Sequence, residues 1–209
     1  MTLNDKNIFW IGGSPCCGKS TISEMFVSEY GWQLFKCDDH MERYIDIGAS
    51  GGDTAMEECR KLSLDEYWLR DVDVLVKNEF QFYHEMLRYA ERDIYDKYTG
   101  QAMIIEGVAL LPAFVHHQRI AVRNYVCMVP TKKFQLEHYS KRDWVDGYLS
   151  DCLDKKQAYA NWMERDAIFA KTVLRQAEDF GLKTIVVDGD KSIVDIYLEM
   201  KKHFGLIIG

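Results

Sequence analysis

The residues best placed to do chemistry stand together near the start of the chain: Gly13-Ser14-Pro15-Cys16-Cys17-Gly18-Lys19-Ser20. Their spacing is G-x-x-x-x-G-K-[ST], the pattern of a phosphate-cradling P-loop. Glycines at its two ends let the backbone curl until successive N–H groups point inward at an anion. Lys19 brings a mobile positive charge to the outer phosphates. The Ser20 hydroxyl, with Thr21 beside it, is the expected Mg²⁺ ligand. A helix starting here adds its positive dipole end to the same anion. Gly13 to Thr21 are therefore the candidate nucleotide-binding residues. Cys16 and Cys17 lie inside the loop, close to Lys19 and a helix N-terminus. That setting favours thiolates, although small side chains would also simply fit a tight turn.

Carboxylates form the second group. Asp38-Asp39 comes after Trp32–Cys37, which reads as a second strand, and Glu106 lies at the end of the buried-strand run Gln101–Gly107, which closes in Glu-Gly and reads as a third. In open α/β sheets, ligands sit at the carboxyl ends of strands, which is where all three fall. Asp is also common in solvated turns. Glu106 could reach a metal's water shell, meet a substrate hydroxyl or cap the next turn. Arg142 and Arg165 lie on helical stretches further on, and Arg165 falls off the apolar stripe, free to point at solvent or phosphate. His116-His117 has no partner spacing for a metal and reads as surface loop.

These residues need elements to position them. Asn7–Gly12 reads as a buried strand, and Ile22, Met25, Phe26 and Tyr30 give helical spacing over Ser20–Tyr30. Gly31 sits where a C-terminal cap belongs. The stretch Ile47–Thr54 is glycine-rich and reads as a flexible loop. Beyond it, Trp68, Val72, Val76, Phe80, Tyr83, Leu87, Ala90 and Ile94 make one apolar stripe of a long helix closed by Gly100. Arg123–Val129 reads as a fourth strand stopped by Pro130. Thr131–Phe180 is helical with an interruption near Gly147, and Trp162, Phe169, Val173, Ala177 and Phe180 share a face. Lys183–Asp188 is a fifth strand and Ile193–Phe204 a last helix. Strand–helix alternation repeated five times implies a parallel sheet with helices on both faces and right-handed crossovers. Residues of about 40–99 form a helical insertion able to shape an acceptor pocket.

The composition sets bounds. The chain has 209 residues, 47% hydrophobic and 28% charged, which suits a single domain with a real core. A net charge of −7 without a basic run argues against a nucleic-acid surface. No apolar stretch approaches a membrane span, and Met1–Lys6 lacks a signal-peptide core, so the expected place is the cytosol. The six cysteines form no C-x-x-C pair, and reduced thiols are expected.

With loop, acidic pair and arginine-bearing helices together, the chain resembles small P-loop kinases. These are the nucleoside monophosphate kinase and shikimate kinase group, including chloramphenicol phosphotransferase and zeta-toxin-like kinases. The likeness covers the whole layout, and the P-loop carries it at residue level. It implies strand order 2-3-1-4-5, use of ATP and Mg²⁺, and γ-phosphoryl transfer to a small-molecule hydroxyl or phosphate acceptor. The family's carboxylate after strand two acts as base or substrate anchor. It maps onto Asp38 or Asp39, with Asp39 favoured because Asp39-His40-Met41-Glu42 better matches the family pattern downstream of that carboxylate. The family's lid maps onto about 131–180, with Arg142 and Arg165, and its adenine-bordering turn onto Gly189–Ser192. Two departures stand out. Ile105-Glu106-Gly107 is more like uridine kinases and 2-phosphoglycerate kinases than the usual Asp, and the lid lacks a close arginine pair. The acceptor region matches no motif, and the oligomeric state is left open. Rival readings are a regulatory nucleotide-binding module without turnover and a polynucleotide 5′-hydroxyl kinase. A GTPase switch would need D-x-x-G and N-K-x-D, and neither string occurs.

Overall fold

The computed structural model describes residue 3 and residues 5–207. Met1, Thr2 and Asn4 of the opening stretch, and positions 208 and 209, lie outside the described residues.

Five strands form one all-parallel sheet: β1 (Ile8–Gly13), β2 (Gln33–Lys36), β3 (Met103–Glu106), β4 (Tyr125–Pro130) and β5 (Lys183–Val187). Their order is β2-β3-β1-β4-β5, as expected. β1, β3 and β4 are buried at every position, which is why they read as continuous apolar runs rather than alternating ones. Alternation still decides which core each side chain joins. Ile8 and Trp10 face one core with α5 (Val72–Lys97) and α9 (Lys155–Asp179). Phe9 and Ile11 face the other, with α1 (Lys19–Tyr30) and α10 (Ile193–His203). The register aligns Ile11 with Glu106 and Lys36 with Glu106, so the ends of β1, β2 and β3 share one edge. That edge positions the site.

Between β2 and β3 the chain forms a short 3-10 turn at Asp38–His40, then α2 (Met41–Gly51), α3 (Thr54–Lys61), α4 (Leu64–Trp68) and α5. Glycine-rich Ile47–Thr54 is therefore not a flexible loop. It is the end of α2, a left-handed cap at Gly52 with φ 87°, and the start of α3. A Cβ on Gly48 would stand 2.1 Å from Met56 Sδ, so this glycine lets α2 and α3 approach. The buried Glu85 of α5 accepts from the Ala55 and Met56 amides at 3.3 and 3.1 Å, satisfying donors at the N-terminus of α3.

The long helical stripe is also revised. Trp68 ends α4, whose start carries a capping box of Ser63 and Glu66, and the chain bends before α5. Leu75, Phe82 and Met86 are buried where Val76 and Phe80 are half-buried, so the first half of the stripe is turned from the expected face. Glu79 lies on that buried face.

After β3 come α6 (Pro112–His117) and then β4. Pro112 starts a helix rather than breaking one, and the two histidines end that helix instead of lying in a loop. His116 stacks on Phe180 with ring centres 4.3 Å apart. Between β4 and β5 lie α7 (Lys132–Tyr139), α8 (Asp143–Tyr148) and α9. Gly147 is inside α8, and the breaks fall on either side of that helix. A third core, with Trp68, Tyr139, Val145, Leu149 and Trp162, joins these helices to α4 and α5 above the sheet edge. No described helix is long and apolar enough to cross a membrane.

Candidate functional site

The loop from Gly13 to Ser20 links β1 to α1 at the carboxyl edge of the sheet. Its glycines answer to packing as well as to turn geometry. A Cβ on Gly13 would stand 1.9 Å from the Met128 carbonyl oxygen, at φ 118°. Gly18 holds φ 82° before the helix, and Cys16 holds φ 65°, a region that costs a non-glycine residue energy. The Ser14 amide donates to the Met128 carbonyl at 2.9 Å, tying the loop to β4.

Lys19 is buried and folds back on the loop, donating from Nζ to the Ser14 carbonyl at 2.7 Å. Burial opposes its charge, but Cys17, Asp38 and Glu106 outweigh burial, and its pKa is raised. Lys19 is therefore a held cation facing carboxylates. The Ser20 hydroxyl donates to Glu106 Oε1 at 2.9 Å. Glu106 is buried at the end of β3, which pushes its carboxyl up, partly offset by Lys19. A hydroxyl and a carboxylate oxygen side by side suit a hard cation such as Mg²⁺, which takes few protein ligands and completes its shell with water and phosphate. No described cluster of three or more His, Cys, Asp or Glu forms an all-protein metal cage.

The loop floors a cleft of about 550 Å³ whose walls include Asp38, Glu79, Glu106, Tyr139, Arg142 and Arg165. Of the acidic pair, Asp38 lines this cleft and Asp39 does not. Asp38 is open to solvent yet set among protein atoms, and its carboxyl is pushed up by that setting against the pull of Lys19. Thr21 also borders the cleft. The turn Gly189–Ser192 is exposed, with Gly189 near the Phe134 ring.

The two arginines differ. Arg142 lies over the Tyr139 ring at 4.6 Å, and among the described residues it pairs with no carboxylate. Arg165 is not free to point at solvent: it is buried, with Nη1 2.8 Å from Glu79 and Nη2 2.6 Å from Asp166. Its guanidinium also covers the Trp68 ring at 4.7 Å. The reason is the bend before α5, which brings Trp68 and Glu79 over α9. Burial pushes the Glu79 carboxyl up to about 7, against the pull of Arg165, with Asp166 adding to the rise.

Of the two readings of the loop thiols, the one that favours thiolates is not supported. Burial raises the pKa of both Cys16 and Cys17, outweighing Arg142 at the first and Lys19 at the second. Cys17 is buried and donates from Sγ to the Ser14 carbonyl at 3.0 Å. Desolvation here is larger than the field of the lysine. All six cysteines are free thiols.

Sequence reading did not single out Glu79, Asp166, Trp144 and Tyr139, and it placed Trp68 in the stripe of the long helix. A buried-face carboxylate at Glu79 and the adjacent Arg165-Asp166 pair were the available signals. Trp68, Trp144 and Trp162 come from three helices and have no shared spacing.

A P-loop between β1 and α1 of a 2-3-1-4-5 parallel sheet defines the class: a P-loop α/β fold. Neither a protein-family model nor a curated protein matches the chain. Among solved structures it is similar to a gluconokinase from Sinorhizobium meliloti 1021, with TM-score 0.48 and 14% identity, covering 95% of this chain and 91% of that one. It is similar as well to TT1252 from Thermus thermophilus, with TM-score 0.47 and 14% identity, covering 97% and 98%. At this identity neither likeness says what this chain acts on.

Proposed function

We propose that this chain is an ATP- and Mg²⁺-dependent kinase that moves the γ-phosphoryl group to a hydroxyl of a small molecule. The observation carrying this reading is the cleft itself. It joins a P-loop, a buried lysine, a Ser20–Glu106 oxygen pair and the Asp38 carboxylate at one sheet edge, and it opens into a second cavity. Phosphoryl transfer needs positioning and charge neutralisation more than covalent chemistry.

Loop amides and Lys19 hold the donor phosphates once Lys19 leaves the Ser14 carbonyl. Ser20 and Glu106 would hold Mg²⁺, which would supply charge neutralisation of the phosphates. The acceptor oxygen forms a bond to the γ-phosphorus as the bond to the β-bridging oxygen breaks, and ADP leaves. The hydroxyl proton goes to a carboxylate, and Asp38 takes this role in preference to Asp39 because it lines the cleft. Arg142, unpaired and beside the loop, closes on the transferring group. Arg165 holds Glu79 and Asp166 and so shapes the wall. Residues of about 40–99 serve the acceptor, and about 131–180 carry the lid.

The test is a screen of small hydroxyl compounds for ATP-to-ADP conversion above background, run beside Lys19→Ala. Conversion should appear with the intact chain and vanish in the variant, with circular dichroism unchanged. Equal conversion by a folded Lys19→Ala protein would sink the kinase reading.

A further inference from the structure

Beside the phosphate cleft lies a cavity of about 440 Å³. The two share Met41, Glu79, Tyr83, Trp144, Trp162 and Arg165 as walls, so a molecule in the second cavity reaches the first. Rings dominate the second cavity. Trp162 is the hub: Trp68 stacks on it at 5.1 Å, Tyr148 meets it at 5.5 Å and Trp144 at 5.8 Å. Trp144 is 52% exposed and Tyr148 44% exposed, so these two leave ring surface open beside the cavity. A ring in the ligand gains from such faces beyond simple burial.

Charge narrows the choice. The cavity walls carry three carboxylates, Glu42, Glu58 and Glu79, against two guanidiniums, Arg60 and Arg165. Both guanidiniums are already spoken for. Arg60 pairs with Glu42 and Asp46, and Arg165 with Glu79 and Asp166. Among the described residues lining this cavity no cation is left to receive a phosphate or carboxylate; the unpaired Arg142, over the Trp144 ring at 5.7 Å, lines the phosphate cleft instead. Glu58 is paired in turn with Arg70, so with these partners counted Glu42, Asp46, Glu58, Glu79 and Asp166 stand against Arg60, Arg70 and Arg165. An anionic ligand there would face that net negative charge in a partly desolvated space.

Resting on the kinase reading, we infer that the acceptor of this cavity is a ring-bearing alcohol with no anionic group. Its ring lies against Trp144 and Trp162, and its hydroxyl points past Glu79 towards the loop. A phosphate or carboxylate lodged in this cavity is disfavoured by the same charge.

The test uses the full chain labelled with 5-fluorotryptophan, whose five tryptophans report separately by ¹⁹F NMR. Signals are assigned by single Trp→Phe variants. The probes are matched pairs, such as phenyl β-glucoside with phenyl β-glucuronide and a nucleoside with its 5′-monophosphate, added with MgADP saturating the donor site. Uncharged members should move the Trp144 and Trp162 signals and bind at least about tenfold tighter than their anionic partners, given the usual cost of like charges. Glu79→Gln should shrink that preference. Trp144→Ala, at an exposed position, should weaken the uncharged members by about tenfold while leaving the fold intact. Anionic members binding equally or better would overturn the inference, as would a panel in which no member moves either signal. Neither result touches the kinase reading, which fails separately if ring alcohols bind and ATP is never consumed.

Discussion

The phosphate cleft and the cavity beside it share a wall but are made differently. The cleft floor is one run of eight residues, shaped by backbone turns with positive φ at Gly13, Cys16 and Gly18. The cavity is assembled from side chains on α2, α3, α4, α5, α8 and α9, spread from Met41 to Arg165. A site made of backbone needs a local sequence, because successive φ and ψ angles set where its donors point. A site made of side chains needs only that distant helices meet, and many sequences achieve that. The first should therefore respond to changes of single groups in chemistry, and the second to changes in packing.

The largest effect that would sharpen this contrast comes from the acidic pair. Asp38→Asn should lower phosphoryl transfer by ~10²–10⁴, the usual weight of a general base, with nucleotide affinity nearly unchanged. Asp39→Asn should have a far smaller effect, as its side chain lies outside the cleft lining. Steady-state rates with nucleotide titrations measure both, and the reverse ranking would return the role to Asp39.

On the cavity side, Trp162→Ala should cost about 3–5 kcal/mol of folding stability, the range for truncating a large buried aromatic. Trp162 contacts Trp68, Tyr139, Trp144 and Tyr148, so removing it empties the hub of the third core. Urea titration gives the loss. A stability change below about 1 kcal/mol, well under that range, would mean that the cavity wall is not held by packing.

The smallest effect concerns pH. Glu79 has its folded pKa raised to about 7, above the ~4.3 of an unfolded chain. Between those values the folded state binds more protons, so this group's contribution is full below ~4.3 and is lost as pH rises through about 7. Glu79→Gln should remove that decline, flattening stability against pH across this window. An unchanged slope in the variant would place the titration on another group.

The same division between local and assembled features sets how far the sequence could be read. β1, β3 and β4 were legible because buried parallel strands are unbroken apolar runs, and half-buried β5 at the sheet edge was legible from its Ile185-Val186-Val187 run. The Ile47–Thr54 stretch was not, because a glycine that permits close helix packing at Gly48 looks the same as one that permits a turn. Arg165 was only partly legible for a related reason. Its position off the apolar stripe implied solvent or phosphate; it borders the cleft, but Glu79 and Asp166 supply buried partners that make a charged residue tolerable inside.

By itself the sequence determined the alternation of elements, the parallel sheet and the phosphate loop, since each is written in neighbouring residues and short periods. The tertiary structure decided which carboxylate of the pair enters the cleft, which arginine stays unpaired and in which direction burial moves the loop thiols. It also brought Trp68, Trp144 and Trp162 around one cavity. These outcomes depend on burial and on distances between segments far apart in the chain, and neither quantity exists until the helices have packed.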